Sequence, residues 1–145
     1  MVIHNVKVYT ETNGFQEGIV VVEKDRIWNV FLQDTLDYEL QKKRYVQDGT
    51  ADCLDGGGGY LIPGMIDIHL HGCKGYDFCD GTLEAVEKIA EYQAAIGVTT
   101  IAPATMTLPR ERLVEIVKQG AVFYEKKAAG EYNTYADLAG INMEG

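Results

Sequence analysis

An alternation of strand-like and helix-like segments in the second half of the chain limits its possible folds more than any other feature. Segments 61–71, 98–102 and 137–144 are rich in apolar and β-branched residues, which predicts three strands. Between them, 82–97 and 109–130 carry apolar residues at helical spacing, which predicts two amphipathic helices. Two strand–helix–strand units in series fold as parallel strands joined by right-handed crossovers, so we predict an α/β fold.

The ends of both predicted helices carry recognisable signals. Thr82 is a candidate N-cap of the first helix, and Gly97 closes it. Thr107 is a candidate cap of the second helix, which begins near Pro109 and stops at Gly130. The residues expected to face the core are Leu83, Val86, Ile89, Gln93 and Ile96 in the first helix, and Leu113, Ile116, Val117 and Phe123 in the second.

Residues 1–60 form a separate, β-rich region. Segments 18–23 and 26–31 are apolar and flank a short polar turn, which predicts a β-hairpin. Residues 33–50 are polar and are predicted to be irregular, and 50–54 is a candidate for one more short strand. This half of the chain therefore lacks the alternation seen in the second half.

A run of glycines, 56–59, separates the two regions. Glycine-rich loops hold phosphates when their amides converge at a helix start. Here an apolar strand follows, so we interpret the run as a flexible crossing between two layers.

The strand at 61–71 carries two histidines at alternate positions. Because side chains alternate along a strand, Asp67, His69 and His71 are expected to share one face. The opposite face, with Ile66, Ile68 and Leu70, is expected to enter an apolar layer. Two imidazoles at i and i+2 can hold one metal ion, although histidines of a buried strand can also be merely hydrogen-bonded.

Acidic side chains add to this candidate metal site. Glu144 stands at the end of the third predicted strand, and the carboxyl ends of barrel strands carry the active site. Imidazole together with carboxylate suits zinc or iron(II) better than magnesium. Asp67 either orients a ligand histidine or is a buried carboxylate satisfied by backbone donors. Thr105, after the second strand, is a candidate for the mouth of the site.

The remaining candidates have simpler interpretations. Cys73 and Cys79 could complete a small structural zinc site, but their spacing of six fits no compact zinc motif, so ordinary reduced thiols are favoured. Lys74 could meet a phosphate, but simple exposure is favoured.

Charge and hydropathy exclude several classes of partner. The net charge is −9 with dispersed acids and no basic stripe, which argues against nucleic acid or an anionic membrane. No apolar run approaches the roughly 20 residues of a membrane helix. The start of the chain has no signal-peptide pattern, so we expect a cytoplasmic protein whose cysteines are reduced.

Several motifs in this order resemble a known family. They are Pro63–Gly72 with its His-x-His pair, His71–Phe78, Gly97–Thr100 with Pro103–Thr105, and Gly140–Gly145. In order and spacing they are similar to the N-acetylglucosamine-6-phosphate deacetylases of the amidohydrolase superfamily. The similarity runs from about Ile62 to the end of the chain.

This resemblance implies a fold, a reaction and a cofactor. The expected fold is a small β-sandwich over 1–60 followed by a (β/α)8 TIM barrel, of which 61–145 would supply the first three strands and two helices. The expected reaction is hydrolysis of N-acetylglucosamine 6-phosphate to glucosamine 6-phosphate and acetate in amino-sugar metabolism. It needs one or two divalent ions, with Glu144, His69 and His71 as ligands. Asn142 departs from the histidine that is frequent at its position in the family.

The expected site is incomplete within these residues. A full barrel needs about 250 residues, so we expect an amino-terminal portion of a longer protein, inactive alone and homodimeric when whole. The catalytic base and the sugar and phosphate contacts are expected beyond residue 145. Two alternatives stay open at this point, namely another amidohydrolase of the dihydroorotase or deaminase kind, and an inactive fragment.

Overall fold

The computed structural model describes residues 1–49 and 51–144, which divide into two compact units, Met1–Pro63 and 64–144. Thr50 and Gly145, which belong to the predicted strand 50–54 and to the last resemblance motif, lie outside the described residues. Within these ranges, no helix is both long and apolar enough to cross a membrane.

The first unit is built on a four-stranded sheet in the order β3-β2-β1-β4. The pair β2–β3 is antiparallel and closes where Glu23 pairs with Arg26, so the predicted hairpin is confirmed. Strand β1 pairs antiparallel with β2 and parallel with β4. The bounds are Val2–Thr10 for β1, Gly14–Glu23 for β2, Arg26–Leu32 for β3 and Cys53–Leu61 for β4.

A short helix occupies the segment that was predicted to be irregular. Helix α1, Tyr38–Lys42, continues into a wider π-helical turn, Lys43–Gln47. Tyr38 is buried in a cluster with residues of β1–β3, and Tyr45 and Val46 pack against that cluster. The prediction was wrong because Tyr38 is two helical turns away from Tyr45 and Val46. The polar residues between them obscure the helical spacing of apolar residues in the sequence.

The glycine run is part of β4 rather than a flexible crossing, so that prediction was wrong as well. The pairing of β1 with β4 skips from His4–Asp55 to Val6–Gly59, which leaves a bulge in β4. Gly57 and Gly58 have φ of +61° and +77° there, values that glycine adopts without strain. The described residues of this unit form one sheet, and a second sandwich layer stays a prediction.

The second unit confirms the predicted α/β alternation. Its parallel sheet has the order β5-β8-β9, with helices between successive strands. A small antiparallel hairpin, β6–β7, and a 3₁₀ turn, Phe78–Asp80, precede α2, the first helix of this unit. The bounds are β5 Met65–Leu70, β6 Gly72–Cys73, β7 Tyr76–Asp77, α2 Leu83–Ala95, β8 Val98–Pro103, α3 Arg110–Ala128 and β9 Asp137–Leu138. A closed barrel stays a prediction.

Two of the predicted strands differ from the observed ones. The segment 61–71 is divided, because Leu61 pairs with Val8 in the first sheet while β5 starts only at Met65. Pro63 lies between them and has no N–H for a ladder. The third strand is shorter than predicted, and a single parallel bridge between Ala104 and Asn142 extends the pairing beyond it.

The face of β5 that was predicted to enter an apolar layer is exposed at two of its three residues and buried at the third. Ile66 and Ile68 are 65% and 71% exposed, whereas Leu70 is buried. The reason is that α2 packs mainly against β8 and α3 against β9, so the described helices leave β5 uncovered at Ile66 and Ile68. The core lies on the helix side of the sheet and includes Phe78, Ile89, Ile101, Ile116, Phe123 and Leu138.

The predicted helix faces are largely correct, but two of the predicted core residues are exposed. Ile96 is exposed because α2 has already ended at Ala95, one residue earlier. Val117 lies on the solvent side of α3, while Ile116 and Phe123 enter the core.

The two helix starts differ, and this difference gives a testable prediction. The Thr82 hydroxyl accepts a hydrogen bond of 3.2 Å from the Ala85 amide, so the predicted cap is confirmed. The predicted cap at Thr107 was wrong, since α3 starts after Pro109 without a side-chain cap. We expect Thr82→Ala to lower the free energy of unfolding by about 1 kcal/mol, and Thr107→Ala by less than about 0.5 kcal/mol, in urea titrations of the full-length protein. Equal losses would contradict the assignment.

Candidate metal centre

Three candidate ligands converge at the carboxyl end of the parallel sheet. The Nε2 atoms of His69 and His71 lie 3.1 Å and 3.6 Å from Oε1 of Glu144. The two imidazole rings are 5.2 Å apart, edge to face. The three ligand atoms lie within 4.8 Å of one another, a spacing that one metal ion can span. The structure therefore brings together the three residues that the sequence singled out, and their role as ligands stays a prediction.

Local structure explains how residues that are distant in sequence meet here. His69 lies near the end of β5 and His71 directly after it, so both side chains leave the same edge of the sheet. Glu144 reaches that edge because pairing continues past β8: the Asn142 amide donates to the Pro103 carbonyl and the Thr105 amide to the Asn142 carbonyl, both at 2.9 Å.

Thr105 helps to fix the backbone of Glu144. The side chain is fully buried, and its hydroxyl accepts a hydrogen bond of 3.3 Å from the Glu144 amide. The sequence placed Thr105 at the mouth of the site, and the structure gives it a contact with the backbone of a candidate ligand.

Asp67 contacts the backbone of a candidate ligand in the structure. Its carboxylate accepts a hydrogen bond of 3.0 Å from the His69 amide, two residues along the strand. This contact matches the alternative of a carboxylate satisfied by backbone donors. A role in orienting a ligand histidine stays a prediction.

Asn142 contacts His69 directly, and sequence reasoning gave it no role. Its amide nitrogen lies 3.2 Å from Nδ1 of His69 and 3.3 Å from the carbonyl oxygen of Ile68. The available signal was its spacing, since Asn142 and Glu144 stand two residues apart and so share a face in an extended segment.

Gly72, immediately after His71, has a steric reason to be glycine. A Cβ at this position would lie 2.0 Å from the carbonyl oxygen of Tyr76, across the β6–β7 hairpin. The residue that follows the hairpin is bonded to His71, because the Phe78 amide donates a hydrogen bond of 2.7 Å to the His71 carbonyl.

The cysteines and Lys74 lie near the site in sequence but take other partners. Cys79 accepts a hydrogen bond of 3.2 Å from the Met106 amide, and both Cys73 and Cys79 pack against the core. Burial raises the pKa of both thiols, which disfavours the thiolate that zinc requires. Lys74 is exposed, and its ammonium lies 4.7 Å from the centre of the Tyr92 ring.

The donor set fits a divalent ion of the zinc or iron(II) class. One carboxylate and two imidazoles give one negative charge and two neutral nitrogens, which is a borderline-soft set. Nδ1 of His71 is buried and has no hydrogen-bond partner among the described residues. A buried polar atom without a hydrogen-bond partner is uncommon. This atom therefore does not fit the alternative that His71 is merely a hydrogen-bonded histidine of a buried strand.

Comparisons with known proteins identify similar chains. A protein named N-acetylglucosamine-6-phosphate deacetylase from Vibrio furnissii is 32% identical over 95 residues, which is 66% of this chain and 23% of that protein. A Bacillus subtilis protein of the same name is 27% identical across 100% of this chain and 34% of its own length. The chain resembles the N-acetylglucosamine-6-phosphate deacetylases. The resemblance drawn from the sequence motifs is thus confirmed.

The fold agrees with these deacetylases as well. The crystal structure of the Pasteurella multocida deacetylase matches 99% of this chain and 34% of its own, with a TM-score of 0.73 at 23% identity. No protein-family model matches the chain. The chain thus spans between about a quarter and a third of the length of the deacetylases that it matches.

Proposed function

We propose that the full-length protein hydrolyses the acetamide group of N-acetylglucosamine 6-phosphate, releasing acetate and glucosamine 6-phosphate. The observation that carries this proposal is the convergence of His69, His71 and Glu144 at one edge of the parallel sheet. The names of the similar proteins supply the substrate and the reaction.

A divalent ion, zinc or iron(II), is proposed as the cofactor, with one or two ions per chain. Such an ion lowers the pKa of its water and polarises the amide carbonyl. Glu144 would supply the negative charge and His69 and His71 the neutral nitrogens. Asp67 and Thr105 would steady the backbone of these ligands through the hydrogen bonds described above.

Amide hydrolysis also needs a base that takes a proton from water and an acid that gives one to the leaving amine. Asp67 is not proposed for this role, because its carboxylate is engaged by the His69 amide. We propose that the base, and the contacts to sugar and phosphate, come from residues of the full-length protein beyond residue 145.

The finer structural expectations are proposals of the same kind. The parallel order β5-β8-β9 and the likeness to the Pasteurella multocida structure support a (β/α)8 barrel preceded by a small β-domain. A cytoplasmic homodimer is proposed from the resemblance to the deacetylases alone.

An acetate-release assay on the full-length protein, with elemental analysis of the same sample, tests the proposed function. We expect the protein to release acetate from N-acetylglucosamine 6-phosphate only when metal is present. N-acetylglucosamine, which lacks the phosphate, is the comparison substrate. Chelation should abolish release, and added zinc or iron(II) should restore it. A metal-loaded protein that releases no acetate from the phosphorylated sugar would refute the proposal.

A further inference from the structure

The side-chain amide of Asn142 contacts two neighbouring residues of β5. Its Nδ2 lies 3.3 Å from the carbonyl oxygen of Ile68 and 3.2 Å from Nδ1 of His69. The register of β5 against β8 shifts between Asp67 and Leu70, so the sheet ladder is irregular at the Ile68 carbonyl. Asn142 is itself held in place by the backbone pairing with Pro103 and Thr105.

Hydrogen-bond polarity determines what this arrangement requires of His69. A carbonyl oxygen can only accept, so the NH₂ end of the amide must face Ile68. The same NH₂ group also lies 3.2 Å from Nδ1 of His69. An amide NH₂ donates and does not accept, so this contact is a hydrogen bond only when Nδ1 is the acceptor. A neutral imidazole carries one proton, which this contact places on Nε2. Nε2 lies 3.1 Å from Oε1 of Glu144, to which it can donate.

We propose that Asn142 is a positioning residue that holds His69 in its Nε2–H tautomer and thereby sets how readily this ring accepts a cation. The inference rests on the proposed metal centre. An imidazole that ligates through Nε2 carries its proton on Nδ1, where it would meet the donor of Asn142. Ligation by His69 therefore requires the amide to turn over and present its oxygen, at the loss of the hydrogen bond to Ile68.

His71 provides a comparison within the same site. Its Nδ1 is buried and has no hydrogen-bond partner within the described ranges, so no amide constrains its tautomer. The two histidines thus have the same type of side chain and share Glu144, but they differ in the restraint at Nδ1.

The first test measures the tautomers by histidine-ring nitrogen NMR on the metal-free full-length protein in alkaline buffer, where imidazole is neutral. We expect the Nε2–H form to dominate at His69. Asn142→Leu should lower the ratio of Nε2–H to Nδ1–H about five-fold, which corresponds to one neutral hydrogen bond, and should leave His71 unchanged. A dominant Nδ1–H form in the unaltered protein, or an unchanged ratio in Asn142→Leu, would overturn the proposal.

The second test measures zinc affinity by competition with a chromophoric chelator. Asn142→Asp keeps the size of the side chain but offers only acceptors, so it should tighten zinc binding about ten-fold. Met143→Asp adds the same charge one residue away, on a side chain that is 58% exposed, and should change the affinity less than three-fold. Equal gains in both variants would attribute the effect to charge alone and would contradict the proposal.

These readouts separate the inference from the proposed function. The tautomer measurement needs neither metal nor substrate, so it decides the role of Asn142 even if the protein releases no acetate. Conversely, the protein could release acetate while the tautomer ratio of His69 does not depend on Asn142. That result would support the proposed reaction and would refute the positioning role of Asn142.

Discussion

Glu144→Gln is expected to lower acetate release by the full-length protein at least about a thousand-fold, since metal-ion catalysis contributes several kcal/mol to the transition state. Glu144 is the carboxylate of the cluster, and its Oε1 faces both histidine rings at 3.1 Å and 3.6 Å. Glutamine keeps the size of the side chain but removes its negative charge. The bound metal per chain, measured by elemental analysis, should fall together with turnover.

A glutamate on the surface of the same unit gives the control. Glu125 lies on the exposed side of α3, so Glu125→Gln makes the same chemical change away from the site. We expect this variant to keep the turnover and the metal content of the unaltered protein. Unchanged acetate release in Glu144→Gln would refute its role as a ligand.

Replacing both His69 and His71 with alanine is expected to remove the ion that the pair holds and to lower acetate release at least about a hundred-fold. The two rings supply two of the three donor atoms in the cluster, and one carboxylate cannot hold zinc or iron(II) tightly without them. Metal content and turnover should be measured on the same preparation.

The third histidine of the chain serves as the control for this pair. His4 lies in the first unit, on β1, so His4→Ala tests whether losing any histidine affects metal content. We expect the His4→Ala protein to bind as much metal as the unaltered one. Equal metal content in the double variant and in the unaltered protein would exclude the pair as ligands.

The parts of the site that the sequence predicted follow from simple periodicities. His69 and His71 share an edge because side chains alternate along β5, and Glu144 joins them because parallel strands end at the same side of a sheet. The cap at Thr82 and the hairpin at residues 23–26 follow from local rules in the same way.

The parts that the sequence did not predict depend on contacts between segments. The burial of Tyr38 under the first sheet and the exposure of Ile68 on β5 depend on which elements pack together, which no local pattern encodes. The same holds for the Asn142 amide, whose hydrogen bonds reach residues more than seventy positions earlier in the chain.

The contact at Gly72 limits how this region of the sequence can change. Because even a methyl group would occupy the place of the Tyr76 carbonyl, a saturation-mutagenesis library should retain only glycine at this codon among folded clones. A homologue with a larger residue at this position must also have a different conformation of the β6–β7 hairpin. Replacing this glycine during evolution would therefore need two coupled changes rather than a single substitution.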